Sequence, residues 1–185
     1  SAAAAFPVGD PGLPVDVVRY GPDIPDESPF RLLGNLEGRR VVVLGAGGGH
    51  AAVAVAGQGA HVIVVDPDHG ALDGARDLAE THERRLELHQ GDLAELAFIR
   101  ADTVDAVVSI YEMGRVGDLD RVLRQAHRVL RTGGTFVVSL PHPAFSMLDH
   151  AADDPFRVVH AYLDRSARTD GPAVVHPRSV SEVLT

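Results

Sequence analysis

Apolar residues follow two rhythms along this chain. In the first they run almost without a break: Val41 to Leu44, His61 to Val65, Asp105 to Ile110 and Thr135 to Leu140. Short runs rich in β-branched residues predict strands covered on both faces, as in a parallel sheet. Leu86 to Gln90 alternates instead (LELHQ) and predicts a strand near a sheet edge. In the second rhythm apolar residues recur every three or four positions. Leu72, Ala75, Leu78 and Ala79 predict an amphipathic helix over 70–83. A clearer one spans 118–130, with Leu119, Val122, Leu123, Ala126, Val129 and Leu130 inward and Arg121, Arg124, Arg128 and Arg131 on a solvated face. Ala51 to Ala56 is apolar all round and predicts a buried helix. Ser28-Pro29 opens a short helix to Asn35 that carries Phe30, Leu32 and Leu33 toward the core. Another short helix is expected over 94–97.

The chain thus divides into an arm and lead-in helix over 1–39, a core over 40–143, and a segment over 144–185. The arm, Ala2 to Asp23, is rich in Pro and Gly. In the last segment Asp153-Asp154-Pro155 and Asp170-Gly171-Pro172 mark breaks, and Ser179 or Ser181 suits the cap of a final helix.

The first strand runs into Gly45-Ala46-Gly47-Gly48-Gly49. Glycine accepts the positive φ of a tight turn and lets a ligand approach the backbone. The helix that follows offers free N–H groups and a partial positive charge to an anion. Asp66 ends the next strand, where its carboxylate can accept from both hydroxyls of a ribose. This is one βαβ unit with a crevice at its strand tips, suited to an adenosine-containing cofactor without saying which. Gly91-Asp92-Leu93 adds a second carboxylate, either a turn cap or an acceptor for an exocyclic amine. Tyr111-Glu112-Met113-Gly114 and Pro141-His142-Pro143 leave their strands on the ligand side. Tyr20 either packs the arm against the surface or folds over the cofactor. His89 reads as an ordinary strand residue.

At 185 residues the chain makes one domain. With a formal charge of −9 and no Trp, it lacks the basic face and stacking platform of a nucleic-acid binder. The absence of Cys excludes a disulfide framework, a thiolate metal site and a cysteine nucleophile. No apolar run is long enough to span a bilayer, and Ser1 to Ala5 does not resemble a secretory signal, so a cytoplasmic protein is expected.

The order of elements, with VVVLGAGGG, VIVVDPD, GDLAEL, DAVVSIYEM and HRVLRTGGTFVVSLPHP, resembles the class I S-adenosylmethionine-dependent methyltransferases (type 11/25-like) over about residues 20–143. The tail VHPRSVSEVLT is similar to the start of a later helix of that family. The resemblance implies an α/β, Rossmann-like, doubly wound parallel sheet of order 3-2-1-4-5, with no segment here matching the family's C-terminal strands 6 and 7. It implies a transferase using S-adenosyl-L-methionine to methylate a small-molecule acceptor by direct displacement, with no metal. Gly45, Ala46, Gly47 and Gly49 would lie under the methionine part and Asp66 with Pro67 at the ribose. Asp92 would meet the adenine amino group, Leu93 its ring, and Ser109 and Tyr111 would lie beside the cofactor, with Tyr20 over it. His142 is the first candidate base, with Tyr111 and Glu112 behind it. The absence of a Pro-Pro-Tyr/Trp signature after strand 4 argues against an amino methylase of nucleic acids.

Two departures keep a degenerate, non-catalytic cofactor-binding protein in view. Val43 stands where many members carry an acid that orders the cofactor's amino-acid end, and the last two strands cannot be found. A nicotinamide-dependent oxidoreductase is a weaker alternative, since its fingerprint wants Gly or Ala where His50 stands. Thr135 to Leu140 is left as an apolar edge without Lys or internal Pro. It calls for cover by residues 144–185, by a second copy in a homo-oligomer, or by chain continuing past Thr185, the favoured expectation.

Overall fold

The computed structural model describes residues 14–21, 24–149, 153–154, 156–170 and 173–184. The expected arm over 2–23 lies largely outside these residues. A five-stranded parallel sheet has the order β3-β2-β1-β4-β5, with β1 Arg40–Leu44, β2 His61–Asp66, β3 Leu86–Gln90, β4 Val104–Ile110 and β5 Leu130–Ser139. This is the Rossmann-like arrangement expected from the sequence. Helices α2 (His50–Gly57), α3 (His69–Thr81) and α4 (Leu119–Val129) follow β1, β2 and β4. A four-residue α1, Glu27–Phe30, precedes them.

The uninterrupted apolar runs have a simple cause. Val41 and Val43 of β1 enter the core layer under α2 and α3, together with Val62 and Val64 of β2. Val42 and Leu44, with Ile63 and Val65, enter the opposite layer under α4 and residues 93–99. Both faces are buried, so alternation disappears. At the base of the sheet Asp105 ties three segments together. Its carboxylate accepts from Arg40 N at 2.8 Å and Arg39 Nη1 at 2.9 Å and pairs with Arg131. Burial acts to raise its pKa, but the Arg40 N–H and the two guanidinium groups outweigh it and hold the carboxyl below its ordinary range.

Several local expectations need correction. Asp26, not Ser28, caps α1 through Ser28 N at 2.9 Å, and left-handed Arg31 ends it (φ 52°). Of the three apolar residues assigned to that helix, Leu33 is buried while Phe30 and Leu32 remain half exposed. Residues 94–97 form turns, fixed by Ala94 N donating to Asp92 and Glu95 N to the Asp92 carbonyl. β5 starts directly after α4 rather than at Thr135, because Leu130 turns extended and pairs with Val104; a register shift and Gly133 at φ 79° absorb the irregularity. The arginine row is not simply solvated. Arg128 donates to the carbonyls of Leu96 at 2.6 Å and Ile99 at 3.0 Å, Arg121 pairs with Glu95, and Arg131 with Asp105.

The last segment contains a small antiparallel hairpin not anticipated from the sequence, β6 Arg168–Asp170 with β7 Ala173–Val175. The final helix is α5, Val180–Leu184. The hairpin stands apart from the main sheet, so β5 is its terminal strand, and among the described residues no strand pairs with its outer edge.

Candidate functional site

The glycine loop is built by backbone geometry. Gly45, Gly47 and Gly49 have φ of 91°, 52° and 84°. Gly45 N donates to Val65 O at 2.8 Å, closing the loop onto the end of β2. At Gly49, a Cβ would lie 2.7 Å from the Cα of Ala75, so glycine there lets α3 pack against the start of α2. Nothing among the described residues lies within 4 Å of where a Cβ on Gly47 would stand. That position leaves the backbone open to a ligand, while Gly49 caps α2 without using a side chain. The eight-residue α2 directs its N-terminus at the same place.

Asp66, 5% exposed at the tip of β2, is bound into this loop. Oδ2 accepts from Ala46 N at 2.6 Å and Oδ1 from Asp68 N at 2.7 Å. A carboxylate has about four acceptor positions, so two such bonds orient the group and leave capacity for a diol. Pro67 follows it, exposed on the rim. Asp92, at the tip of β3, is exposed and caps its own turn through Ala94 N at 2.7 Å, with Leu93 buried beside it. The two readings of Asp92 are compatible, since the cap occupies Oδ1.

Ser109 is fully buried, and its hydroxyl donates to Leu44 O at 2.9 Å. It thus ties β4 to the last residue of β1 and acts on the loop from beneath. Tyr111 holds a left-handed backbone (φ 64°) and donates its N–H to Ser139 O. Such a conformation costs a non-glycine residue about 1–2 kcal/mol, and it turns the chain sharply off β4. Burial raises the Tyr111 pKa, which suits a hydroxyl that keeps its proton. The arm does reach this region: Gly21 packs against the Tyr111 ring, and Ser139 Oγ donates to Tyr20 O. Tyr20 itself is buried, and its hydroxyl donates to Glu27 at 2.6 Å. Burial first, then Glu27, push its pKa far up.

Glu112 is more deeply placed than its rank as a candidate base suggested. Its side chain is 12% exposed and crosses to the glycine loop, where a Cβ on Gly45 would overlap its Cγ and lie 2.7 Å from its Cβ. Burial raises its pKa; Arg115 opposes this, and the charge of Asp66 adds to it. The sequence signal was a carboxylate beside a strand tip facing a glycine, which reads equally well as a solvated loop.

Beyond Glu112 the loop borders a cavity of ≈ 260 Å³, walled by Met113, Leu119, Leu140 and Val175, with His142 and His176 among its polar groups. His142 is exposed, and its Nδ1 accepts from Ala144 N at 3.2 Å. In the neutral ring the proton therefore sits on Nε2, which makes His142 a donor there. His176 was not recognised from the sequence, because it reaches this place only when 176–178 docks on the loop over 113–117. That docking is made by His176 N on Gly114 O at 2.8 Å and by Arg178, which donates to the carbonyls of Met113, Val116 and Gly117.

Known proteins share this build. Over 120 residues the chain is 33% identical to a ubiquinone biosynthesis O-methyltransferase of Alkalilimnicola ehrlichii, covering 62% of this chain and 49% of that one. Over 154 residues it is 30% identical to a magnesium-protoporphyrin O-methyltransferase of Rhodobacter capsulatus, covering 78% and 67%. A crystal structure of an S-adenosylmethionine dependent methyltransferase from Mesorhizobium loti is similar with a TM-score of 0.69 at 28% identity, covering 85% of this chain and 77% of that one. The chain spans about half the length of the first of these relatives. The family described as a methyltransferase domain matches residues 41–134, from the second residue of β1 to the glycine pair inside β5, and the chain belongs to that family.

Proposed function

We propose that the protein is an S-adenosylmethionine-dependent methyltransferase acting on a small-molecule acceptor by direct displacement. The carrying observation is the join of β1 and β2, where Asp66 is held by the N–H of Ala46 inside the glycine loop. A ribose-sized diol at Asp66 and a ligand lying on Gly47 belong to one site. The relatives named above, O-methyltransferases by name, support an oxygen acceptor on a small molecule.

Bound S-adenosylmethionine supplies a methyl group on an already positive sulfur, so the protein's task is placement and exclusion of water. Gly45, Ala46, Gly47 and Gly49, with the first turn of α2, hold the methionine part. Asp66 takes the ribose hydroxyls beside Pro67, and the Asp92 oxygen not used as a cap takes the adenine amino group beside Leu93. Ser109 fixes the loop, Tyr111 offers an O–H donor, and Tyr20 closes the side near Tyr111. The apolar cavity takes the acceptor. His142 orients its oxygen through Nε2–H, and a base role at Nδ1 requires the bond from Ala144 N to break.

Among the described residues no helix is long and apolar enough to cross a membrane. We read the protein as cytoplasmic and without a nucleic-acid partner, given its charge of −9. The outer edge of β5 is the place where a further strand or a second copy adds to the sheet. Calorimetric titration tests the cofactor: Asp66→Ala loses hydrogen bonds to a charged group, and S-adenosylmethionine should bind about 10-fold or more weakly. Unchanged affinity refutes the assignment of the ribose. Incubation with methyl-labelled cofactor and pools of hydroxylated small molecules tests transfer, and no labelled product from any pool counts against catalysis.

A further inference from the structure

We infer that Glu112 is the carboxylate that receives the α-ammonium group of S-adenosylmethionine, exchanging its contact with Arg115 for the ligand. This rests on the cofactor reading above and adds a residue to it.

The placement of Glu112 carries the inference first. Its side chain lies against Gly45 so closely that no other residue fits there, and the first bend of the loop is shaped around it. Asp66 ends β2 and Glu112 follows β4, the two neighbours of β1 in the sheet, and their carboxylates reach Ala46 and Gly45 respectively. Their surroundings differ. Asp66 accepts two backbone N–H groups. Glu112 faces Gly45, whose N–H is already given to Val65 O. Its partner Arg115 stands 3.3 Å and 3.4 Å from its two oxygens and is 45% exposed. Good charge-assisted pairs are roughly 2.7–2.9 Å long. Burial and the charge of Asp66 both favour a proton or a cation on Glu112.

The ligand chemistry selects the cation. The described residues hold no group of three metal-ligating side chains. S-adenosylmethionine carries two positive groups. Its sulfonium has no donor, whereas its ammonium offers three N–H groups that match a carboxylate. The glycine loop underlies the amino-acid end, and Val43 directly below it presents only methyl groups. Glu112 therefore supplies the negative charge on this side of the loop.

The test uses calorimetry on the full chain with three ligands: S-adenosylmethionine, its demethylated product S-adenosylhomocysteine, and the product analogue lacking the α-amino group. Glu112→Gln keeps the length and packing of the side chain. It should weaken the first two ligands about 10- to 100-fold and the desamino analogue by less than about 2-fold. Arg115→Gln removes a competitor for the carboxylate and should bind all three as well as the wild type or more tightly. Glu112→Asp, which keeps the charge but withdraws it from the loop, should lie between the wild type and Glu112→Gln and serves if the latter fails to fold. Equal losses for the product and its desamino analogue overturn the inference, as does an Arg115→Gln loss matching that of Glu112→Gln, which marks a purely structural pair. A wild type that binds neither charged ligand defeats the cofactor reading and this inference together. Tight wild-type binding that neither Glu112 variant disturbs defeats the inference alone.

Discussion

Replacing Gly45 by alanine tests the architecture of the loop most directly. Two costs arise. At φ 91° the residue lies beyond the small left-handed region near +50 to +70° that L-residues tolerate, and positive φ costs about 1–2 kcal/mol. The new methyl group also overlaps Glu112 Cγ and comes within 2.7 Å of its Cβ, atoms too near the backbone to swing aside freely. Overpacking of that kind costs about 1–3 kcal/mol. Together Gly45→Ala should lose about 2–5 kcal/mol. Gly47→Ala is the internal control, because Gly47 has φ 52° and open space around it and pays only the backbone term of about 1–2 kcal/mol. Urea denaturation of both variants gives the difference. The double variant Gly45→Ala/Glu112→Ala removes the Cγ overlap while the Cβ contact stays, so it should recover part of that cost, about 1–2 kcal/mol relative to the two single variants combined. In thermal melts each kcal/mol corresponds to a shift of about 2–4 °C for a chain of this size. Equal stabilities for Gly45→Ala and Gly47→Ala, or a double variant with no recovery, would refute the close approach of Glu112 to the loop.

Further outcomes follow from the other contacts. Gly49→Ala drives a methyl group to 2.7 Å from the Cα of Ala75, and backbone cannot yield as a side chain can; a loss of about 2–5 kcal/mol in urea denaturation is expected. Tyr20→Phe leaves a buried Glu27 oxygen without its donor and should cost about 1–3 kcal/mol, while cofactor affinity measured by calorimetry stays within about 2-fold. Asp105→Asn should cost about 1–2 kcal/mol at pH 7, its guanidinium partners being partly exposed and screened. The folded pKa of Asp105 lies below its unfolded value of about 3.9, so its stabilisation is complete above that value and fades as pH falls through the folded pKa. Stability curves of wild type and Asp105→Asn should therefore converge in acid and stay parallel above about pH 5; a gap that widens in acid contradicts the assignment.

The frame of this protein was legible in its residues because each buried element carries its own mark. Burial on two faces wrote β1, β2 and β4 as unbroken apolar runs, and the stripe from Leu119 to Val129 wrote α4. The glycine loop and Asp66 were legible because positive φ and a carboxylate at a strand tip each demand a narrow set of residues. What failed did so where two local signals compete. Asp26 outcompetes Ser28 as a cap, and Leu130 can close a helix or open a strand. β6 and β7 are three residues each, too short to show a period, and the break read at Asp170-Gly171-Pro172 falls between them. The contact that Glu112 makes, as distinct from its place among the candidate bases, and the whole of His176 were beyond local pattern. The first matters through a glycine 67 positions earlier, the second through a docking contact with Gly114.

The segment over 112–117 touches both sides of the site. Its first residue rests on the glycine loop, and its later carbonyls carry Arg178 and His176 at the wall of the cavity. Mechanically it is one short piece, fastened at both ends. Thermodynamic reciprocity then constrains the protein: whatever factor a molecule in the cavity imposes on cofactor affinity by shifting this segment, the cofactor must impose on that molecule in return. Charge enters the same account, since S-adenosylmethionine carries one more positive charge than the product left after its methyl group departs. If the proposed function and the role inferred for Glu112 hold, a loop that rests on the glycine turn on one side and walls the cavity on the other can couple the spent donor's departure to that of the methylated acceptor. Such coupling would appear in solution as an acceptor affinity that depends on which form of the donor is bound.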